Sequence, residues 1–248
     1  MDDSNTKPPA SFHGWSRLPD ELKVKILAHN LDQTNGIDSI AHSRLFAEHL
    51  TSIIGTRNRE FTALALETYY KRNVFKVTIQ MGLPDYRAYI QHPPTACGHL
   101  IRTMEVLTYT YYSYTMFTSA LLAERSAMRY ILSPESPLGR DGALSTFDLL
   151  PHDGNATSTL WQASFVHLQS LALRFEYPMH KEITIYKRPG GCAHCGVTTG
   201  KVEQGLTAVQ KMHIALQAAK TTVVFNSPCH CFTPLAHVLA RMATKLEK

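Results

Sequence analysis

No apolar run in the 248-residue sequence approaches the roughly 20 residues that a helix needs to cross a bilayer. A membrane-spanning helix is therefore not expected. The first stretch, Met1 to Phe12, is polar and holds Pro8 and Pro9; it reads as neither a signal peptide nor a transit peptide, but as a disordered tail. A cytoplasmic or nuclear protein is the expectation. Cysteine is sparse, with five in the chain, and a reducing compartment leaves such thiols unbridged. Charge is not concentrated either. The net charge is +5, but Lys and Arg are scattered, and Lys187-Arg188 is too short for a nucleic-acid stripe. The phosphate-binding patterns Gly-x-x-x-x-Gly-Lys and Gly-x-Gly-x-x-Gly are both missing. So is a strand–turn–helix nucleophile elbow, and the sequence neighbours Cys97 and His99 do not by themselves make a catalytic arrangement. No enzyme activity, cofactor, nucleic acid or membrane partner is expected.

What the sequence does have begins at Leu18. The run Leu18-Pro19-Asp20-Glu21-Leu22-Lys23-Val24-Lys25-Ile26-Leu27 opens like a helix. Pro19 suits the first turn, where its missing N–H costs nothing. Asp20 and Glu21 put negative charge at the positive end of the helix dipole. Leu22, Ile26 and Leu27, with Leu31 one turn on, are read as one apolar face. By pattern alone this is an amphipathic helix packed on its own domain.

Further on stand two phrases, Thr56-Arg57-Asn58-Arg59 and Glu67-Thr68-Tyr69-Tyr70-Lys71-Arg72-Asn73-Val74-Phe75. With the Leu18–Leu27 opening, they make residues 15 to 79 resemble a group of fungal F-box-like proteins. The resemblance implies a small helical module that docks onto the Skp-type adaptor of a cullin–RING ubiquitin ligase. It also implies an adaptor-binding face made of Leu18, Pro19, Leu22, Ile26, Leu27 and Leu31.

Periodicity divides the chain. A helix is expected over about 19–30. A second runs from Ser39 to Ile54, with Ile40, Leu45, Phe46, Leu50 and Ile53 on its apolar side and Gly55 as its stop. A third is capped by Thr56 and carries Phe61, Leu64, Ala65 and Tyr69. Then Phe75, Val77 and Ile79 alternate with polar residues, as in a strand. Leu168-x-x-Leu171-x-Leu173 matches the start of a leucine-rich repeat, and Ile101-x-x-Met104-x-Val106 is a looser copy. Simple strand and helix alternation explains them nearly as well. Helices are expected over Ser113–Leu132, Val202–Ala219 and Phe232–Leu246, and strands at Glu182–Tyr186 and Thr221–Phe225. Residues 133–159 read as a long flexible loop.

The one metal-like constellation is Cys192-Ala193-His194-Cys195 with Cys229-His230-Cys231. Two thiolates from one tight turn suit zinc, and Gly190, Gly191 and Gly196 permit such a turn. The single residue between Cys229 and Cys231 is short for a zinc knuckle, and small core or loop cysteines are the plainer reading. The expected fold is α/β: a tail over 1–14, a three-helix F-box-like module over 15–75, and a leucine-rich-repeat-like domain with a mostly parallel sheet over 76–248. The expected function is a substrate-recognition adaptor joining a Skp-type partner to an unknown protein target. The alternatives are a non-catalytic interaction protein with a degenerate F-box, and a small zinc-binding protein.

Overall fold

The structure is a computed structural model, and it describes residues 14–80, 93–109, 114–122, 132, 164–176, 191–192, 197–212, 218–227 and 229–244. The expected tail up to residue 13, Met128, the 133–159 loop, the Glu182–Tyr186 strand, Leu216 and Cys195 lie outside the described residues.

A short helix, α1 (Gly14–Arg17), leads into α2 (Asp20–Leu31). Pro19 stands just before α2, and its carbonyl accepts from the N–H of Leu22 at 3.0 Å and of Lys23 at 3.1 Å. The next helical rod has three parts: α3 (Ser39–Leu45), a π-helical turn over Phe46–Leu50, and α4 (Thr51–Gly55). Asp38 caps α3 by accepting from the N–H of Ala41 at 2.7 Å. Leu45 and Leu50 are both buried although five residues apart. A regular helix would separate them by about 140° around its axis. The π turn absorbs one extra residue and brings both onto the core side. Ile40, expected on that side, is instead 81% exposed, because it sits at the start of α3, ahead of the buried segment.

After α4 the chain turns through Arg57, whose φ of 57° lies in the left-handed region. The cap of α5 (Arg59–Arg72) is Asn58, not Thr56: Asn58 accepts from the Phe61 N–H at 3.1 Å. The Thr56 hydroxyl faces backwards and donates to the Ile53 carbonyl at 2.7 Å. Thr56 thus ends one helix while Asn58 starts the next. The second phrase forms the end of α5 and the start of the first strand. Thr68, Tyr69, Tyr70, Asn73 and Phe75 are all buried. The Tyr70 and Phe75 rings stack at 5.4 Å, and Tyr69 meets Tyr70 edge-on at 5.0 Å.

Among the described residues, four parallel strands form one sheet in sequence order: β1 (Val74–Gln80), β2 (Thr103–Tyr109), β3 (Ser170–Glu176) and β4 (Lys220–Asn226). A 3₁₀ turn over Thr95–Leu100 precedes β2. The register sets Phe75 beside Met104, Met104 beside Leu171, and Val106 beside Leu173. Ile101 and Leu168, each three residues ahead of Met104 and Leu171, are buried too. On one side of the sheet Phe75, Val77, Ile79, Met104, Val106, Leu171, Leu173 and Phe175 are buried. Further helices follow among the described residues: α6 (Tyr114–Leu122), α7 (Thr199–Gln210) and α8 (Phe232–Thr244). Phe117 of α6 meets Phe175 at 5.4 Å and Phe232 at 5.5 Å, and Phe175 stacks on Phe225 at 4.4 Å. Helix α7 starts three residues ahead of the expected Val202 and ends at Gln210 rather than Ala219.

The expected boundary between residues 75 and 76 falls inside β1. Buried residues of the helical part and of the sheet belong to one core cluster. Ile37, from the loop after α2, pairs with the strand backbone: its N–H donates to Val74 at 2.7 Å, and its carbonyl accepts from Lys76 at 2.8 Å.

Candidate functional site

Helix α2 presents two separate apolar rows rather than one. At about 100° per residue, Leu22 and Ile26 share one side, and Leu27 and Leu31 share another about 140° away. The second row joins the core, with Leu27 and Leu31 buried against the rest of the molecule. Of the expected adaptor-binding face, Leu27 and Leu31 are thus covered within the chain. Leu22 is 44% and Ile26 47% exposed. Leu18 is half-buried and Pro19 exposed beside them. The exposed set is Pro19, Leu22 and Ile26, with the half-buried Leu18 beside it.

Lys23 belongs to the inner row, one turn before Leu27, and is buried. Its ammonium donates to Glu60 at 2.8 Å and to Asp20 at 3.0 Å. These hydrogen bonds, Glu60's first, raise its pKa above the ordinary lysine value. The contact ties α2 to the first turn of α5. At the other end, the Arg72 guanidinium grips the Asp32 carboxylate, with Nε at 2.9 Å and Nη2 at 2.9 Å from Oδ2. The exposed row of α2 is thus carried on a helix fixed at both ends.

A second surface is the outer side of the sheet. Strand residues that alternate with the buried ones are half-buried or exposed: Lys76, Glu105, Leu107, Arg174 and Val224 among them. Arg174 Nε reaches Glu105 at 2.7 Å across β2 and β3, and Asn226 donates to Glu176 at 2.6 Å across β3 and β4. The period-two pattern marked these positions as outward-facing, but only the strand order brings them together.

The cysteines form a third feature. The sulfurs of Cys192, Cys229 and Cys231 all lie within 4.8 Å of one another. Cys192 precedes α7, with its N–H held by the Val197 carbonyl at 2.9 Å. Cys229 and Cys231 lie in the turn between β4 and α8. Cys229 is buried, and the other two are partly buried against the core. Tyr114 sits nearby, its hydroxyl donating to the Val202 carbonyl at 3.1 Å. Burial, and then the charge of Cys231, push the Tyr114 hydroxyl up to about 12. Cys97 lies elsewhere, hydrogen-bonded with Tyr70.

No family model, no curated protein and no solved structure matches the chain. Among the described residues no helix is long and apolar enough to cross a membrane.

Proposed function

We propose that this protein is the target-binding adaptor of a cullin–RING ubiquitin ligase, with a fungal-type F-box-like helical part and a leucine-rich-repeat-like sheet. The observation that carries the reading is the exposure of Leu22 and Ile26 on α2. Had they been covered within the monomer, the helix would have no face left for a partner. Together with Leu18 and Pro19 they offer a small apolar patch of the kind on which a few anchors dominate binding. Burying such a side chain contributes roughly 1.5–3 kcal/mol, so a Skp-type adaptor gains most of its hold from two residues. The sheet supports the second half of the reading. Parallel sheets are ordinarily covered on both sides, whereas here one side carries polar, partly exposed residues. Strands stacked in sequence order with one open side are the arrangement of a repeat protein's binding surface. The target would lie across Glu105, Arg174 and Glu176. Chemistry would belong to the ligase rather than to this chain.

The test is co-purification with the host's Skp-type adaptor, comparing the wild type with the Leu22→Asp/Ile26→Asp double variant. Binding by the wild type, and at least tenfold loss in a variant with an unchanged circular dichroism spectrum, is the expected result. Equal capture of both, or of neither, removes the adaptor and leaves an interaction protein whose surface is the sheet.

A further inference from the structure

We propose that Cys192, Cys229 and Cys231 form a thiolate site for a soft divalent cation, zinc by chemistry, that fastens the start of α7 to the β4–α8 turn. The three sulfurs come from segments 37 residues apart in sequence and yet lie within 4.8 Å of one another. Cys192 Sγ and Cys229 Sγ are 3.6 Å apart. That is far beyond the roughly 2.05 Å of a disulfide. It matches the roughly 3.8 Å edge of a tetrahedron whose centre is about 2.3 Å from each sulfur, the zinc–thiolate bond length. Two cysteines in van der Waals contact occur in any core; three sulfurs converging from two turns on one point is a ligand set.

The surroundings fit the same chemistry. Cys231 immediately precedes the first residue of α8, where the helix dipole favours negative charge. Phe232, the residue after Cys231, packs against Tyr114 at 5.4 Å between ring centres. A cation there would offset the cost of holding thiolates in a partly buried place. Cys229 is 2% exposed, so a metal bound to it is shielded on its inner side. Sulfur donors alone select zinc over magnesium or calcium, which take oxygen. Three thiolates fill three tetrahedral positions and leave a fourth. Cys195 lies outside the described residues; the site proposed consists of the three described thiols. Binding releases their protons to solvent, so uptake weakens as pH falls. The clamp is independent of the adaptor reading, because α2 and its exposed leucine and isoleucine have no part in it.

The experiment uses the full chain, reduced and stripped of metal, titrated with cobalt(II) and then zinc. The expected result is an intense sulfur-to-cobalt charge-transfer absorption with the strong visible bands of tetrahedral cobalt, at one cobalt per chain, displaced by one zinc. Cys192→Ser, Cys229→Ser and Cys231→Ser should each weaken uptake more than about 100-fold, exceeding the loss usual for an outer partner of a metal ligand. Cys97→Ser should bind like the wild type. If a serine variant does not fold, the cobalt spectrum of the unaltered chain still decides, since its charge-transfer intensity reports the thiolates bound. Weak, octahedral-type cobalt spectra with no stoichiometric zinc would overturn the proposal. So would peptide mass spectrometry that finds Cys192 and Cys229 joined as a disulfide in the untreated chain.

Discussion

Asn73 concentrates more structure in one side chain than any other polar residue described. It ends α5 and is buried, with its amide nitrogen donating to the Leu31 carbonyl at 2.9 Å and the Tyr69 carbonyl at 2.8 Å. Its oxygen accepts from the Gln33 N–H at 2.7 Å. One amide therefore closes the ends of α2 and α5 together. Asn73→Ala leaves a buried N–H and two carbonyls without this partner, at about 1–3 kcal/mol for each group left unsatisfied. Partial rearrangement lowers that sum, so a total loss of about 2–4 kcal/mol is expected, read as a lower urea midpoint at constant slope. A change of less than half a kcal/mol would mean that water takes over the amide's role. Lys23 gives a prediction of a different kind. Its folded pKa is raised, so the stabilisation from its pairing is present in full below its ordinary value of 10.5 and is lost as pH rises through the folded value. Burial raises Tyr69 and Tyr70 also, with the same sign above the ordinary tyrosine value of 10.0. The signature of Lys23 is therefore the difference between wild type and Lys23→Met. That difference should shrink as pH rises above the ordinary lysine value of 10.5, measured by urea unfolding; a constant difference would assign the effect to packing instead. Neither role could be read from sequence. Asn73 stands in a phrase that family resemblance picks out, but its three partners come from residues up to 42 positions away.

At the scale of elements, the π turn over Phe46–Leu50 is the feature with the clearest consequence. Thr51 N–H reaches the Phe46 carbonyl, and the Thr51 hydroxyl donates to the same oxygen at 2.8 Å. A π turn is one residue more than a helix needs. Deleting the exposed Ala47 should therefore leave a regular helix with Leu45 and Leu50 four apart and still on one side. The expected cost is below about 1 kcal/mol, set by the loss of local contacts alone. Deleting the equally exposed Ser43 from α3 should cost much more. It turns His42 by about 100° relative to Leu45, breaking the 2.9 Å contact between His42 Nδ1 and the Tyr69 hydroxyl. Thermal unfolding of the two deletions compares them directly; equal losses would mean that the π turn is itself required. The same reasoning explains which elements sequence made legible. Alternation at Phe75, Val77 and Ile79 located β1, because a strand's period of two survives any packing. A helix at 39–55 was equally plain, whereas its inner side was not. Ile40, Leu45 and Leu50 are spaced by five, which a regular helix sets about 140° apart; the π turn over Phe46–Leu50 brings Leu45 and Leu50 together, while Ile40, ahead of it in α3, stays outside. On α2, four apolar residues within ten positions looked like one face, although Leu22 and Leu27 point about 140° apart. The rows separate only when it is known which one the core covers. The cysteines were legible by type, but their convergence was not, because it depends on the segment before α7 meeting the turn after β4.

For the whole molecule, the decisive relation is between the helical part and the sheet. Resemblance to a modular family suggested two units, and the periodicity changes from helical to alternating after Asn73 in support of that division. The helical part and the first strand are nevertheless in close contact. Helix α5 passes into β1 with only Asn73 between them, and Phe75 is buried among Tyr69, Tyr70 and His42. Ile37, fully buried, adds a bridge to β1 from the other side. Gly36 allows that approach: its φ is +73°, and a Cβ there would lie 2.7 Å from the Lys76 side chain and 3.0 Å from the Val74 carbonyl. The helices thus act as the cap of the sheet's first strand, covering an end that would otherwise expose apolar surface and unpaired backbone, as terminal repeats do in stacked proteins. An adaptor bound at Leu22 and Ile26 would then be rigidly connected to the sheet, with no hinge between the ligase and the target. A fragment of residues 76–248 tests this arrangement. It begins inside β1, without Phe75 and without the tyrosines that cover it, and exposes the buried side of the first strand. The fragment is expected to show no cooperative urea transition and a poorly dispersed amide spectrum, while the full chain unfolds with coincident circular dichroism and fluorescence transitions. A well-dispersed spectrum and a sharp transition from the fragment would instead make the sheet an autonomous unit, and the helices a tethered module free to move against it.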